Sequence, residues 1–281
     1  MTKQDFQIEP IAGALGAEIS GVDLRSLSDA TLQFVRGTIH RYLVVFFRDQ
    51  ELPPDDHLQL TRRFGPVGAV PHASRLLSGF DEILEVRNKA DAGRSRNVGG
   101  SWHTDMPFQE TPPSYCILYG KDVPSYGGDT LWSNLQAPYE ALSDGLRASL
   151  DGMRAIHSAT RIAGSKHKGP IERQIKAPLG EMDREVDHPV VRTHTESSRK
   201  CLYVNASTFI RFVGWSEDES APLHDYLCRF VTRPEFTCRL RWTPNTVAIW
   251  DNRCTQHYAV DDYGAAPRNM YRTVVAGERP I

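Results

Sequence analysis

His103 and Asp105, in the tetrapeptide Trp102-His103-Thr104-Asp105, are two positions apart. Alternate residues of an extended segment project from one face, so the spacing predicts a strand that aims an imidazole and a carboxylate at a common point. A third donor lies far downstream. Val247-Ala248-Ile249-Trp250 reads as a buried strand, Asn252 to Thr255 as a bend, and His257 follows. Two imidazoles and one carboxylate that occupy one face of an octahedron, with the other face open, form the donor set of non-heme Fe(II) oxygenases. Taken alone, the three ligands would also suit Zn²⁺, so a zinc hydrolase or a metal-binding jelly roll without oxygenase activity fits them too.

Two closely spaced arginines follow His257. Arg268 and Arg272 stand in Arg268-Asn269-Met270-Tyr271-Arg272-Thr273-Val274-Val275, an even number of residues apart, and on a strand they share a face. A guanidinium presents a rigid fork of donors that suits a carboxylate or another planar anion. The segment therefore offers two anion clamps directed toward the metal ligands.

Trp102-His103-Thr104-Asp105, Glu110-Thr111-Pro112-Pro113, Gly127-Gly128-Asp129-Thr130-Leu131-Trp132, Trp250-Asp251-Asn252-Arg253 with His257-Tyr258, and finally Arg268 and Arg272 follow one another in this order. Together they resemble the taurine dioxygenase and aryloxyalkanoate dioxygenase family of Fe(II)/2-oxoglutarate-dependent oxygenases. Gly16-Ala17-Glu18-Ile19-Ser20-Gly21-Val22-Asp23-Leu24 extends the likeness over nearly the whole chain. The resemblance implies Fe(II) held by His103, Asp105 and His257, and 2-oxoglutarate held at Thr130, Arg268 and Trp250. O2 takes the remaining metal position, and ascorbate supports such an enzyme in vitro. His72 and Arg272 fall where family members meet substrate, which implies a small organic acid (a sulfonate, an aryloxyalkanoate or similar). Its oxidation at an unactivated C–H would release succinate and CO2. Hydroxylation next to sulfur, nitrogen or an ether oxygen would lead on to cleavage. A biosynthetic hydroxylase or desaturase keeps the same ligands and stays open. Asp105 speaks against halogenation, and the Arg268 and Thr130 pair, purposeless without a co-substrate, speaks against a zinc hydrolase.

The bulk properties exclude other classes. With 33 basic against 35 acidic residues, the net charge of −2 carries no electrostatic footprint for nucleic acid or an anionic membrane. No apolar run reaches the length of a membrane span, and the first residues lack the pattern of a signal peptide, so a cytoplasmic enzyme is expected. The five cysteines, Cys116, Cys201, Cys228, Cys238 and Cys254, have no CxxC spacing and read as free thiols; Cys254 is the one nearest a metal ligand in sequence. Family members often associate, which implies a homo-oligomer, dimer or higher, with Phe209-Ile210 and Phe212-Val213 as candidate edges.

A mainly β chain with helices emerges from the patterning. Short strands are expected at Phe6 to Glu9, Ala17 to Ile19, Leu43 to Phe47, Glu82 to Val86, Tyr115 to Gly120, Thr130 to Trp132, Leu202 to Asn205 and Phe236 to Trp242. Helices are expected from Ser26 or Ser28 through Tyr42, from Pro54 to the Gly65-Pro66 stop, from Pro138 to Leu150 and from Glu217 to Val231. Such a series suggests a double-sheet jelly roll; the resemblance implies the same fold, a double-stranded β-helix, cupin-like, braced by helices. All 281 residues are read as one domain. Lys89 to Gly100 reads as a mobile lid or a plain connection. Residues 161–200 read as a variable insertion at the site mouth, where His157, Lys166, His167, Lys168, His188 and His194 either line an entrance or are solvated.

Overall fold

The computed structural model describes residues 6–70, 76–87, 99–161 and 184–281. Its largest sheet has eight strands, in the spatial order Gln7–Pro10, Ala17–Ser20, Val44–Phe47, Thr246–Asp251, Tyr115–Asp122, Asn269–Val274, Phe80–Arg87 and Leu76–Leu77. Every neighbouring pair is antiparallel except Ala17–Ser20 against Val44–Phe47. Facing it are Thr237–Leu240, Thr130–Asn134 and Thr255–Ala259 in one sheet, and Phe209–Phe212, Arg154–His157 and Val186–Pro189 in another. A two-stranded ribbon, Val191–Thr193 with Lys200–Leu202, completes the described strands. This is the double-stranded β-helix expected from the sequence.

Period-2 alternation divides the large sheet into two faces. Val44, Phe46, Cys116, Leu118, Ala248, Trp250, Met270 and Val274 point into the roll, where they meet Trp132, Leu202 and Leu240 of the opposing strands. Val45, Phe47, Ile117, Tyr119, Val247, Ile249 and Tyr271 point outward and are covered by Val35 and Ile39 of the helix Asp29–Tyr42 and Leu58 and Phe64 of the helix Pro54–Phe64. Continuous apolar strands such as Val44-Val45-Phe46-Phe47 are thus buried on both sides, as their lack of alternation requires. The first helix begins at Ser28, whose hydroxyl accepts the Thr31 N–H; the second begins with Pro54 at its first turn. The Thr61 hydroxyl is 2.6 Å from that of Thr273, which lies 3.0 Å from His57 Nε2. These contacts pin the second helix to the strand that carries Arg272.

Three expectations need correction. The helix read over Pro138 to Leu150 is two helices, Gln136–Ala141 and Asp144–Leu150, because Ser143 between them adopts an extended backbone and caps the second by accepting the Leu146 N–H. Within the stretch 161–200, Val186–Pro189 and Val191–Thr193 are paired strands of the roll. His157, His188 and His194 are accordingly buried, not solvated and not at an entrance. Lys166, His167 and Lys168 lie outside the described residues, as does most of Lys89 to Gly100. Phe209 and Phe212 face the core, which leaves Val213 as the exposed residue of that edge. Among the described residues no helix is long and apolar enough to cross a membrane.

Candidate metal and co-substrate site

The segment that carries His103 and Asp105 is not a strand. Only His103 pairs, in a two-residue bridge with His257: His103 N–H donates to the His257 carbonyl at 3.0 Å and His257 N–H to the His103 carbonyl at 2.8 Å. Beyond it, Pro107 has no N–H to continue a ladder and Met106 turns through a positive φ of 51°. A side chain substitutes for the missing strand. Asn252 Oδ1 accepts the Asp105 N–H at 2.9 Å, while its Nδ2 donates to the carbonyls of Asp105 and Pro113, each at 3.0 Å. The bend that precedes His257 therefore also fixes the backbone of Asp105.

The three sequence-predicted ligands converge. Their ligand atoms lie within 4.8 Å of one another, and the imidazole centroids of His103 and His257 are 4.1 Å apart. His103 Nδ1 is 2.7 Å from the Ser101 carbonyl; a carbonyl only accepts, so Nδ1 carries the proton and Nε2 keeps a lone pair for a metal. Burial lowers the pKa of both imidazoles, and for His257 the neighbouring His103 lowers it further. Burial would raise the Asp105 carboxyl, but Arg272, both imidazoles and the Cys116 thiol outweigh it and hold the group well below the usual carboxylate range. Two neutral imidazoles beside an ionised carboxylate are the protonation states a divalent cation requires. The donor set fits Fe(II).

Packing holds these ligands from behind. The Trp250 ring is fully buried with its centroid 4.9 Å from that of His257, which makes it a wall at the back of the imidazole. Gly99, with a φ of +91°, lies against His103: a Cβ there would stand 3.1 Å from Cε1 and 3.7 Å from Nε2. Any side chain at position 99 would crowd the ligand.

Arg268 and Thr130 are the residues expected to meet the co-substrate. Arg268 is 4% exposed; its Nε donates to the Gly128 carbonyl at 3.2 Å, its guanidinium lies 6.0 Å from the Tyr263 ring, and among the described residues no carboxylate pairs with it. Gly128 makes room, since a Cβ there would come within 3.3 Å of Arg268 Cδ. At Thr130 the direction of the hydrogen bonds is decided by a neighbour. Trp242 Nε1 lies 2.9 Å from Thr130 Oγ1, and an indole N–H can only donate. Thr130 therefore accepts from Trp242, and its own proton is left for a carboxylate. A buried guanidinium that no carboxylate of the described residues pairs, and a hydroxyl with a proton to give, are both groups that suit one end of a dicarboxylate.

Arg272 lies on the inner face of its strand, with Nη1 2.6 Å from Asp105 Oδ1 and Nε buried without a hydrogen-bond partner among the described residues. One corner of the fork is thus tied to a candidate metal ligand. Parity along the strand is broken by a register shift between Asn269 and Met270; Arg268, one residue before the strand begins, is carried to the site by the Gly127-Gly128 turn against which it packs. His72 lies outside the described residues.

Asn252, Trp242, Cys116 and Gly99 were assigned no role from the sequence. Asn252 was visible inside the Trp250-Asp251-Asn252-Arg253 block. The other three carry no signal in spacing: Trp242 meets Thr130 across 112 residues, and Gly99 and Cys116 meet His103 and Asp105 through a segment without strand periodicity.

A jelly roll that brings together two imidazoles and one carboxylate, and buries an arginine that no carboxylate of the described residues pairs, has the features of a 2-oxoglutarate oxygenase. The chain matches the Taurine catabolism dioxygenase TauD, TfdA family over residues 7–274, and it belongs to that family. It is 37% identical to an alkylsulfatase of Acinetobacter baylyi, with 98% of this chain and 86% of that protein covered. It is 36% identical to an alpha-ketoglutarate-dependent sulfate ester dioxygenase of Pseudomonas putida, with 99% and 91% covered. A solved taurine dioxygenase from Burkholderia xenovorans superposes with a TM-score of 0.81 at 33% identity, with 98% of this chain and 91% of that one covered. The protein is an Fe(II)/2-oxoglutarate-dependent dioxygenase, which removes the zinc hydrolase and the inert metal-binding roll from consideration.

Proposed function

We propose that this dioxygenase oxidises a small organic monoanion of the sulfate ester or sulfonate class at the carbon next to the anionic group. In this reading His103, Asp105 and His257 hold Fe(II), and Arg268 with Thr130 grips the distal carboxylate of 2-oxoglutarate. Arg272 presents the free edge of its fork to the substrate anion, with His72 as a second contact. Bound iron supplies the oxidising chemistry, with O2 as oxidant and decarboxylation of 2-oxoglutarate as the source of the other two electrons. The chain positions substrate and co-substrate and keeps water from the reacting carbon. For a sulfate ester, hydroxylation of the carbon bearing the ester oxygen gives a hemiacetal-like product. Cleavage of its C–O bond leaves an aldehyde, sulfate and a proton.

The observation that carries this reading is the partnering of the two arginines. Among the described residues Arg268 is buried with no paired carboxylate, and Arg272 has a buried N–H without a hydrogen-bond partner; each favours an anionic guest. The relatives named for sulfate ester chemistry support the choice of anion.

The test is an incubation with Fe(II), ascorbate, 2-oxoglutarate and a panel of alkyl sulfates, alkyl sulfonates, aryloxyalkanoates and amino acids, in which succinate and inorganic sulfate are both measured. Succinate and sulfate released in equal amounts from an alkyl sulfate are expected, with Arg272→Ala raising the KM for that substrate. Succinate formation driven only by an uncharged compound or an amino acid would overturn the proposed substrate class.

A further inference from the structure

Asp105 has its backbone fixed by Asn252, but a carboxylate still turns easily about its last bond, because the Asp χ2 well is broad and two-fold. That rotation decides which oxygen meets a metal and whether one or both do. Oδ1 is the inward oxygen, 3.9 Å from His103 Nε2, and it also accepts Arg272 Nη1 at 2.6 Å. Oδ2 faces away and meets Cys116 Sγ at 3.2 Å. Cys116 is fully buried, and its backbone lies opposite both Trp250 and Val274 in the central part of the sheet, so its side chain has one direction to take, into the roll.

We propose that Cys116 is a positioning residue of the metal site. Its S–H donates to the outer oxygen of Asp105 and, with Arg272 on the other oxygen, locks the carboxylate plane so that Oδ1 alone is offered to the metal. Donors to the outer oxygen of a metal-bound carboxylate orient the ligand and tune its affinity, and losing one commonly weakens metal binding by about 10–100-fold. A thiol is a weak donor, which places the expected effect at the lower end. The chain has five cysteines, all free. Cys254, nearer a ligand in sequence, contacts Asp251 and Cys201 electrostatically rather than any of the three ligands.

The proposal rests on His103, Asp105 and His257 being the metal ligands, and its test separates the two. Purified protein without 2-oxoglutarate is titrated with Co(II), and infrared difference spectra are recorded in the S–H stretching region, where other protein groups are silent. A band that shifts on metal loading, and is missing from Cys116→Ala, is expected. Co(II) affinity should fall about tenfold in Cys116→Ala and be largely restored in Cys116→Ser, which keeps a donor at nearly the same place. A role in packing alone predicts the reverse order, with the apolar alanine tolerated and the buried serine hydroxyl harmful. The proposal is overturned if no S–H band of the parent protein moves on metal binding, a measurement that needs no variant to fold, or if Cys116→Ala binds Co(II) as tightly as the parent. If Asp105→Ala leaves Co(II) binding unchanged, the ligand assignment itself is what fails.

Discussion

Two aspartates, Asp105 and Asp251, are buried within a few residues of the same strands, and each has an arginine and histidine neighbours. They are used in opposite ways. Asp251 is saturated: Oδ1 accepts the Arg253 N–H at 3.0 Å and Arg253 Nε at 2.9 Å, while Oδ2 accepts Arg253 Nη2 at 2.6 Å and His194 Nε2 at 2.9 Å. Arg253 continues to Glu196 at 2.7 Å and to the Tyr115 hydroxyl at 2.8 Å, and His40 closes the network on Glu196 at 2.9 Å. His194, Asp251 and Cys254 are close enough together to resemble a metal site, yet every lone pair of the carboxylate already faces a donor. Asp105, by contrast, faces two imidazoles that are neutral, one of which turns its lone pair inward. The difference between a structural node and a metal site here lies in which way the neighbouring protons point, and a list of residue types does not contain it.

Exchanging the two aspartates in turn should break the contrast most sharply. Asp105→Ala should abolish 2-oxoglutarate turnover, assayed as succinate, while its cost in stability stays small, because Arg272 is in part exposed and can turn to solvent. Asp251→Ala should instead strip Arg253 of its one fully buried carboxylate partner and leave it the half-exposed Glu196, at a cost of about 3 kcal/mol in urea unfolding, with turnover surviving in whatever fraction stays folded. Equal losses of stability in the two variants would dissolve the distinction.

A smaller effect tests the co-substrate receptor. Arg268→Ala should raise the KM for 2-oxoglutarate by two orders of magnitude or more, and Thr130→Val by about tenfold, the worth of roughly 1–1.5 kcal/mol for a single hydrogen bond. Trp242→Phe should cost less than Thr130→Val, because it removes the neighbour that directs the hydroxyl and not the hydroxyl. If Trp242→Phe proved the more harmful of the two for KM, the assigned direction of that hydrogen bond would be wrong.

Acidification should act on the stability of the whole fold and not on one site. Burial pushes His57 down to about 4, His157 to about 3, His188 to about 4 and His224 to about 4, with His188 and His224 lowering His157 further. Each binds its proton in the unfolded chain near pH 6.5 but not in the native one until far lower. The stability they contribute is therefore complete above pH 6.5 and is lost as the pH falls toward 4, by roughly 1.4 kcal/mol per pH unit for each fully buried group. Urea midpoints measured from pH 7 to pH 5 should fall, and His57→Gln should flatten the slope. A midpoint that is level across this range would show that these imidazoles are hydrated.

Much of this architecture is legible in the sequence because it is periodic or capped. The strand Val44–Phe47, the helix Glu217–Val231 with its Ser216 and Glu219 capping box, and the His103, Asp105, His257 and Arg268 constellation all declare themselves through spacing or residue type. What stays hidden depends on partners distant in the chain. The His103 segment imitates a strand, since a single bridge to His257 and the Asn252 side chain do the work of a ladder. Residues 184–200 look like a solvated loop because Arg192, His188 and His194 are polar, although the fold buries all three. Trp242 gains its meaning only from Thr130 on another strand, and Cys116 from Asp105 on a segment that no strand pattern announces.

The reciprocal bridge between His103 and His257 has a further consequence. A cation bound to both imidazoles would tie together two points more than a hundred residues apart in the chain, and the unfolded polypeptide cannot hold that pairing without closing a very long loop. Ligation is then available almost exclusively to the native state. Free energy of metal capture passes directly into resistance to unfolding, rising with the logarithm of metal concentration once the site is saturated. A series of melting curves recorded over increasing metal would thus serve as a binding isotherm for the site.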